Sequence, residues 1–350
     1  MMFAESKIFK NEEVLFPEYL PDFLPHRENQ IQIIGKNLKP ALFSRKPQNT
    51  FIFGSSGIGK THVTKFIFKE LEKESEKIKT IYINCWDYKT ATALLSKIAI
   101  ELGAFVQRRG VSKDEILERL LEFLNKSNKN LLICLDEVDQ LIRNGQEALY
   151  DILRINQYEK KFIGIVFISN DPHIFAKVEP RISSSLNMED IRFKPYTLEE
   201  MKDILENRAK DALQKIERGV IILCASQAVK KGGDVRIGLD CLLKASRNSE
   251  RKRKDIVEVE DVKEILKEVK KVKPEILKEK IKQEEKIILE IIKENNEIAS
   301  GDLYAICKNK HNFSERFARE MIEHLSELKL IKAKEIAEGM RGKTRILSVA

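Results

Sequence analysis

Along the first half of the chain, short apolar runs alternate with longer segments whose apolar residues recur every three or four positions. The runs are the opening of FIFGSSGIGKTHVTKF (Phe51 to Phe66), TIYINC (Thr80 to Cys85), the start of NLLICLDEVDQL, and FIGIVFISND. Each is read as a buried strand, and DIRFKP supplies a short fifth. Helical segments separate them, which predicts an α/β layer built on a parallel sheet.

From Thr197 the pattern turns wholly helical. TLEEMKDILENRAKDAL opens with Thr197 as a cap and Glu200 three positions on, the spacing of a capping box. A helix from about Asp234 to Asn248 follows KKGGD, and EVEDVKEILKEVKK makes another. KKVKPEILKEKIKQ, with Pro274 inside it, reads as a connection. The last part has its own order: EEKIILEIIKENN, ASGDLYAICKNK and SERFAREMIEHLSELKL as helices, the third led by Ser314 as N-cap. IKAKEIAEGMRGKTRILSV then gives two strands about a turn at Gly339 to Gly342. Three helices and a hairpin in this length describe a winged helix, a helix-turn-helix variant. The expected division is residues 1–195, 196–280 and 281–350.

Composition narrows the class. The 350 residues suit two or three domains at roughly 150 residues each, and 34% charged with 7% aromatic residues suits a helix-rich soluble chain. No apolar run reaches the ~18 residues that span a bilayer. MMFAESKIFKNEE has no apolar stretch of a signal peptide, so an intracellular protein is expected. Cys85, Cys134, Cys224, Cys241 and Cys307 are odd in number, far apart and without a C-x-x-C pair, which reads as reduced thiols. The five histidines show no metal-ligand spacing. A net charge of +8 suits a polyanionic partner. From Lys244 to Lys282 there are 14 basic and 9 acidic residues, against 12 and 12 from Gln283 to Ala350, so a DNA-binding tail would work through local clusters. RKRK at Arg251 to Lys254 reads as a solvated loop between helices.

The chemistry begins after the first strand. Gly54, Gly57 and Gly59 permit a turn in which consecutive backbone N–H groups converge on an anion, and the following helix adds its positive dipole end. Gly54-x-x-x-x-Gly59-Lys60-Thr61 is a complete phosphate-binding loop, made of Gly57, Ile58, Gly59, Lys60 and Thr61. Lys60 is placed to reach the β- and γ-phosphates and Thr61 to hold Mg²⁺. The third strand ends in Asp136, fit to hold the Mg²⁺ water shell, and Glu137, fit to orient or deprotonate an attacking water. The fourth ends in Asn170, which either touches the γ-phosphate or the water, or is an ordinary turn residue before Pro172. Arg181 is an arginine finger or a surface salt bridge. Arg236, on the helix starting near Asp234, can reach phosphates from a lid. Tyr196 and Arg208 lie on the hinge and the lid helix, where base contact competes with simple packing and with a solvated arginine.

These blocks together resemble AAA+ ATPases, and among them the archaeal replication initiators related to the origin recognition complex and the cell-division-cycle loader. YLPDFLPHRENQI (Tyr19 to Ile31) is similar to that family's box before the phosphate loop, which implies that His26 and Arg27 lie beside the adenine. PYTLEEMKDIL and GGDVRIGLD match its hinge and second sensor blocks, implying that Tyr196, Arg208 and Arg236 contact nucleotide. FVQRRGVSKDEILERL resembles its initiator-specific insertion, implying that Arg108 and Arg109 face DNA; the alternative is a solvated loop. One departure is GSSGIGKT, where the family usually has a lysine or proline and a threonine before the second glycine.

The resemblance implies an α/β AAA+ core with a helical lid and an α+β winged-helix domain, binding ATP or ADP with Mg²⁺. It implies a slow ATPase switch that binds double-stranded origin DNA and helps recruit or load the replicative helicase, beside other initiator paralogues and no membrane. The setting would be cytoplasmic and nucleoid-associated. Ser314, Arg316 and Arg319 would read the major groove, with Arg341, Lys343 and Arg345 on the wing at phosphates or the minor groove. The alternatives are a branch-migration ring motor or a signalling ATPase.

Overall fold

The structure, a computed structural model, describes residues 6–105, 112–127, 129–158, 162–267, 282–327, 330–336 and 344–349. The chain divides into two compact units, Met1–Val262 and Lys263–Ala350.

The first unit is built on five strands: β1 (Asn49–Phe53), β2 (Ile78–Asn84), β3 (Asn130–Asp136), β4 (Ile163–Ser169) and β5 (Met188–Arg192). All neighbours are parallel, in the order β2-β3-β4-β1-β5. Every residue of β3 and β4 is buried, as a parallel sheet covered on both faces requires. That double burial is why these two segments are unbroken apolar runs rather than alternating ones. The expected strands are present, with β1 beginning at Asn49 and β5 at Met188. Asn49 is a buried polar residue because its side chain ties two elements, donating to Leu186 O and accepting from Ile165 N.

Seven helices accompany the sheet among the described residues: α1 (Glu28–Leu38), α2 (Lys60–Glu74), α3 (Ala91–Glu101), α4 (Lys113–Lys126), α5 (Asp139–Asn144), α6 (Glu147–Tyr158) and α7 (Pro180–Leu186). Thr90 caps α3 through Ala93 N, and Ser112 caps α4 through Glu115 N. The stretch expected as the insertion, FVQRRGVSKDEILERL, runs into α4, but Arg108 and Arg109 lie outside the described residues.

The helical layer consists of α8 (Leu198–Ala212), α9 (Arg218–Lys230), α10 (Val235–Arg251) and α11, described over residues 259–267. The capping box at Thr197 and Glu200 is formed in both directions. Asp234 caps α10, which runs three residues beyond the expected end at Asn248. The basic loop differs from its expected character: Lys252 and Lys254 both reach Asp261, a fully buried carboxylate that also accepts from Ser249 Oγ at 2.7 Å. A buried carboxylate needs such partners, so half of RKRK is committed internally. All five cysteines are buried and unpaired.

The second unit contains α12 (Gln283–Glu294), β6 (Glu297–Ala299), α13 (Ser300–His311), α14 (Glu315–Glu327), β7 (Ile331–Ile336) and β8 (Thr344–Val349). The three helices and the hairpin are as expected; the three-residue β6, which pairs antiparallel with β8, was too short to show a period. Ile288, Ile292, Leu303, Ala318, Leu325 and Leu347 form its dry centre. Helices on a small antiparallel sheet in this order make a winged helix. Among the described residues no helix is long and apolar enough to cross a membrane.

Candidate functional site

The sheet order places β1 between β4 and β5 although the chain passes from β1 to β2 at the far edge. In open α/β sheets such a switch of direction leaves a crevice at the carboxyl ends of the strands. The phosphate loop, Asp136 with Glu137, and Asn170 follow β1, β3 and β4 at that end. They line a cleft of about 650 Å³ together with Tyr196, Arg208 and Arg236.

The loop itself turns as its glycines allow. Gly57 has φ +72° and Gly59, the N-cap of α2, has φ +91°. A Cβ on Gly57 would fall 1.9 Å from Asp234 Oδ1, so only glycine admits the lid helix here. Val235 N donates to Gly57 O at 3.0 Å, and Arg236 Nη2 donates to Ser56 Oγ at 2.8 Å. The start of α10 is thereby seated on the loop. Ser56, one of the two departures from the expected loop sequence, is the residue that Arg236 grips. Arg236 also pairs with Asp234 at 2.7 Å. Burial pushes the Asp234 carboxyl up, but its hydrogen bonds and charge attraction to Arg236 outweigh this and hold it below the ordinary range.

Lys60 is buried and donates to Gly54 O and Ser55 O, each at 2.7 Å, and to Asn170 Oδ1 at 2.8 Å. Burial lowers its pKa, opposed by Asp136 and Glu137. Thr61 Oγ1 donates to Asp136 Oδ2 at 2.6 Å. The two groups expected to hold a metal are therefore adjacent, and a hydroxyl beside a carboxylate is the hard-oxygen set that Mg²⁺ accepts alongside phosphates. The residues fit Mg²⁺.

Glu137 occupies the left-handed region at φ +53°, uncommon for a residue other than glycine. Burial, then the neighbouring Asp136 and Asp139 charges, raise its pKa above the ordinary value. Asn170 Nδ2 donates to Glu137 Oε2 at 3.3 Å, so the amide spans Lys60 and Glu137 rather than serving only as a turn residue. This cluster can hold a triphosphate, a metal and a water in one place.

The base-side residues are brought near with different duties. Arg27 is buried, stacks 3.7 Å from the centre of the Tyr196 ring, and donates to Ile58 O and Lys194 O. It braces the phosphate loop against the hinge. Burial pushes the Tyr196 phenol up to about 12. His26 (φ +62°) pairs through Nε2 with Asp203 at 2.9 Å. Arg208 lies over the Tyr19 ring and donates to Tyr19 O and Phe16 O, tying α8 to the N-terminal segment; burial lowers its pKa to about 10. Arg181 is not gathered into the cleft: as the second residue of α7 it is exposed, pairs with Glu179 at 2.6 Å and lies over Tyr150.

In the second unit, Ser314 accepts from Phe317 N as the cap of α14. Arg316 and Arg319 are exposed and pair one turn away with Glu320 and Glu315. Arg345 lies on β8, its N–H donating to Ser300 Oγ at 3.3 Å, while Arg341 and Lys343 lie outside the described residues.

Comparison with known proteins identifies the family. The AAA domain family matches residues 44–174, and the Cdc6 AAA+ ATPase-type lid domain matches residues 202–265. The ORC1-type DNA replication protein 1 of Archaeoglobus fulgidus is 39% identical over 273 residues, covering 76% of this chain and 67% of that protein. That of Sulfolobus acidocaldarius is 32% identical, covering 99% of this chain and 91% of that protein. The chain belongs to the ORC1-type DNA replication proteins. The solved structure of the Aeropyrum pernix ORC1 protein in complex with DNA is similar at a TM-score of 0.76 and 32% identity, covering 99% of this chain and 94% of that one. The recognised family, the AAA+ core with its lid and the winged helix of this ORC1-type chain are thereby all established.

Sequence reasoning missed three residues of the site. Ser56 and Asp234 meet Arg236, and Tyr82 Oη donates to Asp136 Oδ2 at 2.8 Å. Burial, then the Asp136 charge, push the Tyr82 phenol well above its ordinary range, so it is a standing donor. Asp234 carried a signal, as the capping residue before an amphipathic helix. Tyr82 carried none, since a tyrosine in a strand reads as packing.

Proposed function

We propose that this chain is an ATP-dependent replication initiator that binds double-stranded origin DNA through its winged helix and its ATPase insertion, and helps recruit the replicative helicase. It works as a slow switch rather than a motor. The observation that carries the reading is the seating of α10 on the phosphate loop through Ser56, Gly57, Asp234 and Arg236. Nucleotide at that loop meets the lid directly. Likeness over nearly the whole chain to an ORC1 protein whose structure is a complex with DNA supports DNA as the partner.

In this mechanism Lys60 and the loop N–H groups bind the phosphates, and Arg236 exchanges its hold on Asp234 and Ser56 for the phosphate end. Thr61 and Asp136 would hold Mg²⁺, which when bound would supply charge neutralisation on the phosphoryl oxygens. Glu137 orients the attacking water and takes its proton; Asn170 holds Glu137 and Lys60 in register. Arg181, committed to Glu179 at the cap of its own helix, would act only by leaving that pair, in its own or a neighbouring subunit. The working division is residues 1–195 as core, 196–280 as lid and 281–350 as DNA-binding domain.

The test is footprinting of the full chain on genomic origin DNA with turnover measured in parallel. A discrete footprint with ATP turnover that stays slow on DNA is expected. Rapid DNA-stimulated hydrolysis without a discrete footprint would make it a ring motor instead.

A further inference from the structure

Asp136 is served by a donor that lies in neither nucleotide motif. β2 runs parallel beside β3 with Tyr82 opposite Cys134, two residues before Asp136. The length of the tyrosine ring carries its hydroxyl to the carboxylate, where it donates to Oδ2 at 2.8 Å. The same oxygen accepts from Thr61 Oγ1 at 2.6 Å, and Oδ1 accepts from Glu137 N at 2.9 Å. A carboxylate offers about four acceptor sites, so these donors leave about one, on Oδ1. Lys65 places its ammonium 4.2 Å from the centre of the Tyr82 ring and holds the ring from its face.

We propose that Tyr82 is a positioning residue for Mg²⁺: its hydroxyl fixes the rotation of the Asp136 carboxylate, so that Oδ1 is the oxygen left for the ion or its water. The inference rests on reading Thr61 and Asp136 as the metal-holding pair. With one donor on Oδ2 instead of two, the carboxylate is freer to turn and exchange its oxygens. Mg²⁺ demands near-ideal octahedral geometry, so that freedom weakens the metal's hold. The hydroxyl donates to Asp136, so nucleotide binding without metal is untouched.

Tyr82→Phe in the full chain keeps the ring and its place against Lys65 and removes only the hydroxyl. ATP affinity is measured first in chelator and then across a Mg²⁺ titration, with Asp136→Asn beside it. Metal-free affinity within about twofold of the parent is expected, with the Mg²⁺ midpoint raised about tenfold, the value of one charge-assisted hydrogen bond. A parental midpoint in Tyr82→Phe, where Asp136→Asn loses its Mg²⁺ response, overturns the role of Tyr82 alone. An intact Mg²⁺ response in Asp136→Asn overturns the metal pair, and the proposal with it. Equal weakening with and without metal makes Tyr82 a packing residue and also overturns it.

Discussion

At the residue scale the proposed chemistry falls to Glu137, and its surroundings say why it suits a base. The backbone turns through a positive φ immediately after β3, which aims the side chain along the cleft beside Asn170 rather than onward with the strand. Its raised pKa makes it a better proton acceptor than an exposed glutamate. Glu137→Gln keeps the size and the place beside Asn170 but cannot take a proton. ATP affinity within about twofold of the parent is expected, with the single-turnover hydrolysis rate down by about 10²-fold or more. Hydrolysis at the parental rate would remove Glu137 from the base role. Lys60, Thr61, Asp136 and Asn170 were legible because each is fixed by its distance along the chain from a strand end. Tyr82 and Ser56 were not, because each acts on a residue that only the folded sheet or lid brings near.

Among the elements, the helical layer shows what local pattern can and cannot give. The cap of α8 was readable because both partners lie within one turn. The anchoring of Lys252 and Lys254 was not, because their partner Asp261 sits on α11 and is buried there by packing, not by anything in RKRK. This anchor has a pH signature. Burial pushes the Asp261 carboxyl up, but the hydrogen bonds from Lys254 and Ser249 outweigh it and leave the folded pKa below the unfolded one. A depressed pKa contributes stability that is full above the unfolded value and lost as pH falls through the folded value. Asp261→Asn is therefore expected to cost about 1–3 kcal/mol at neutral pH, a loss that shrinks once the pH falls below about 4. Urea melts of the full chain at pH 7 and at a pH well below 4, about 2.5, measure it. A gap of the same size at both would mean that shape, not charge, holds the corner.

At the scale of the whole molecule, the two units of the proposed initiator have two ways of holding a duplex. The winged helix was legible because three helical segments and a hairpin follow one another in a short length, the third helix led by Ser314 as cap, while β6 was hidden by its length and Arg341 and Lys343 lie outside the described residues. Arg316 and Arg319 pair with carboxylates one turn away on an exposed face, and Arg319 also lies over the Tyr304 ring. Exposed pairs of this kind are screened by solvent and hold weakly, so exchanging them for base edges costs little. A well-placed arginine at a guanine discriminates by about 1–3 kcal/mol. Changing both to Ala should then lower affinity for origin DNA by roughly tenfold or more while leaving unrelated DNA nearly unaffected. Arg341 and Lys343 changed to Ala should act the other way, weakening every sequence alike and reducing the salt slope by about one for each phosphate left without its cation. Titrations of origin and scrambled duplexes at several salt concentrations separate the two. If the Arg316 and Arg319 variant bound both duplexes equally weakly, α14 would be gripping backbone, and origin choice would have to come from the ATPase insertion or from the shape of the DNA.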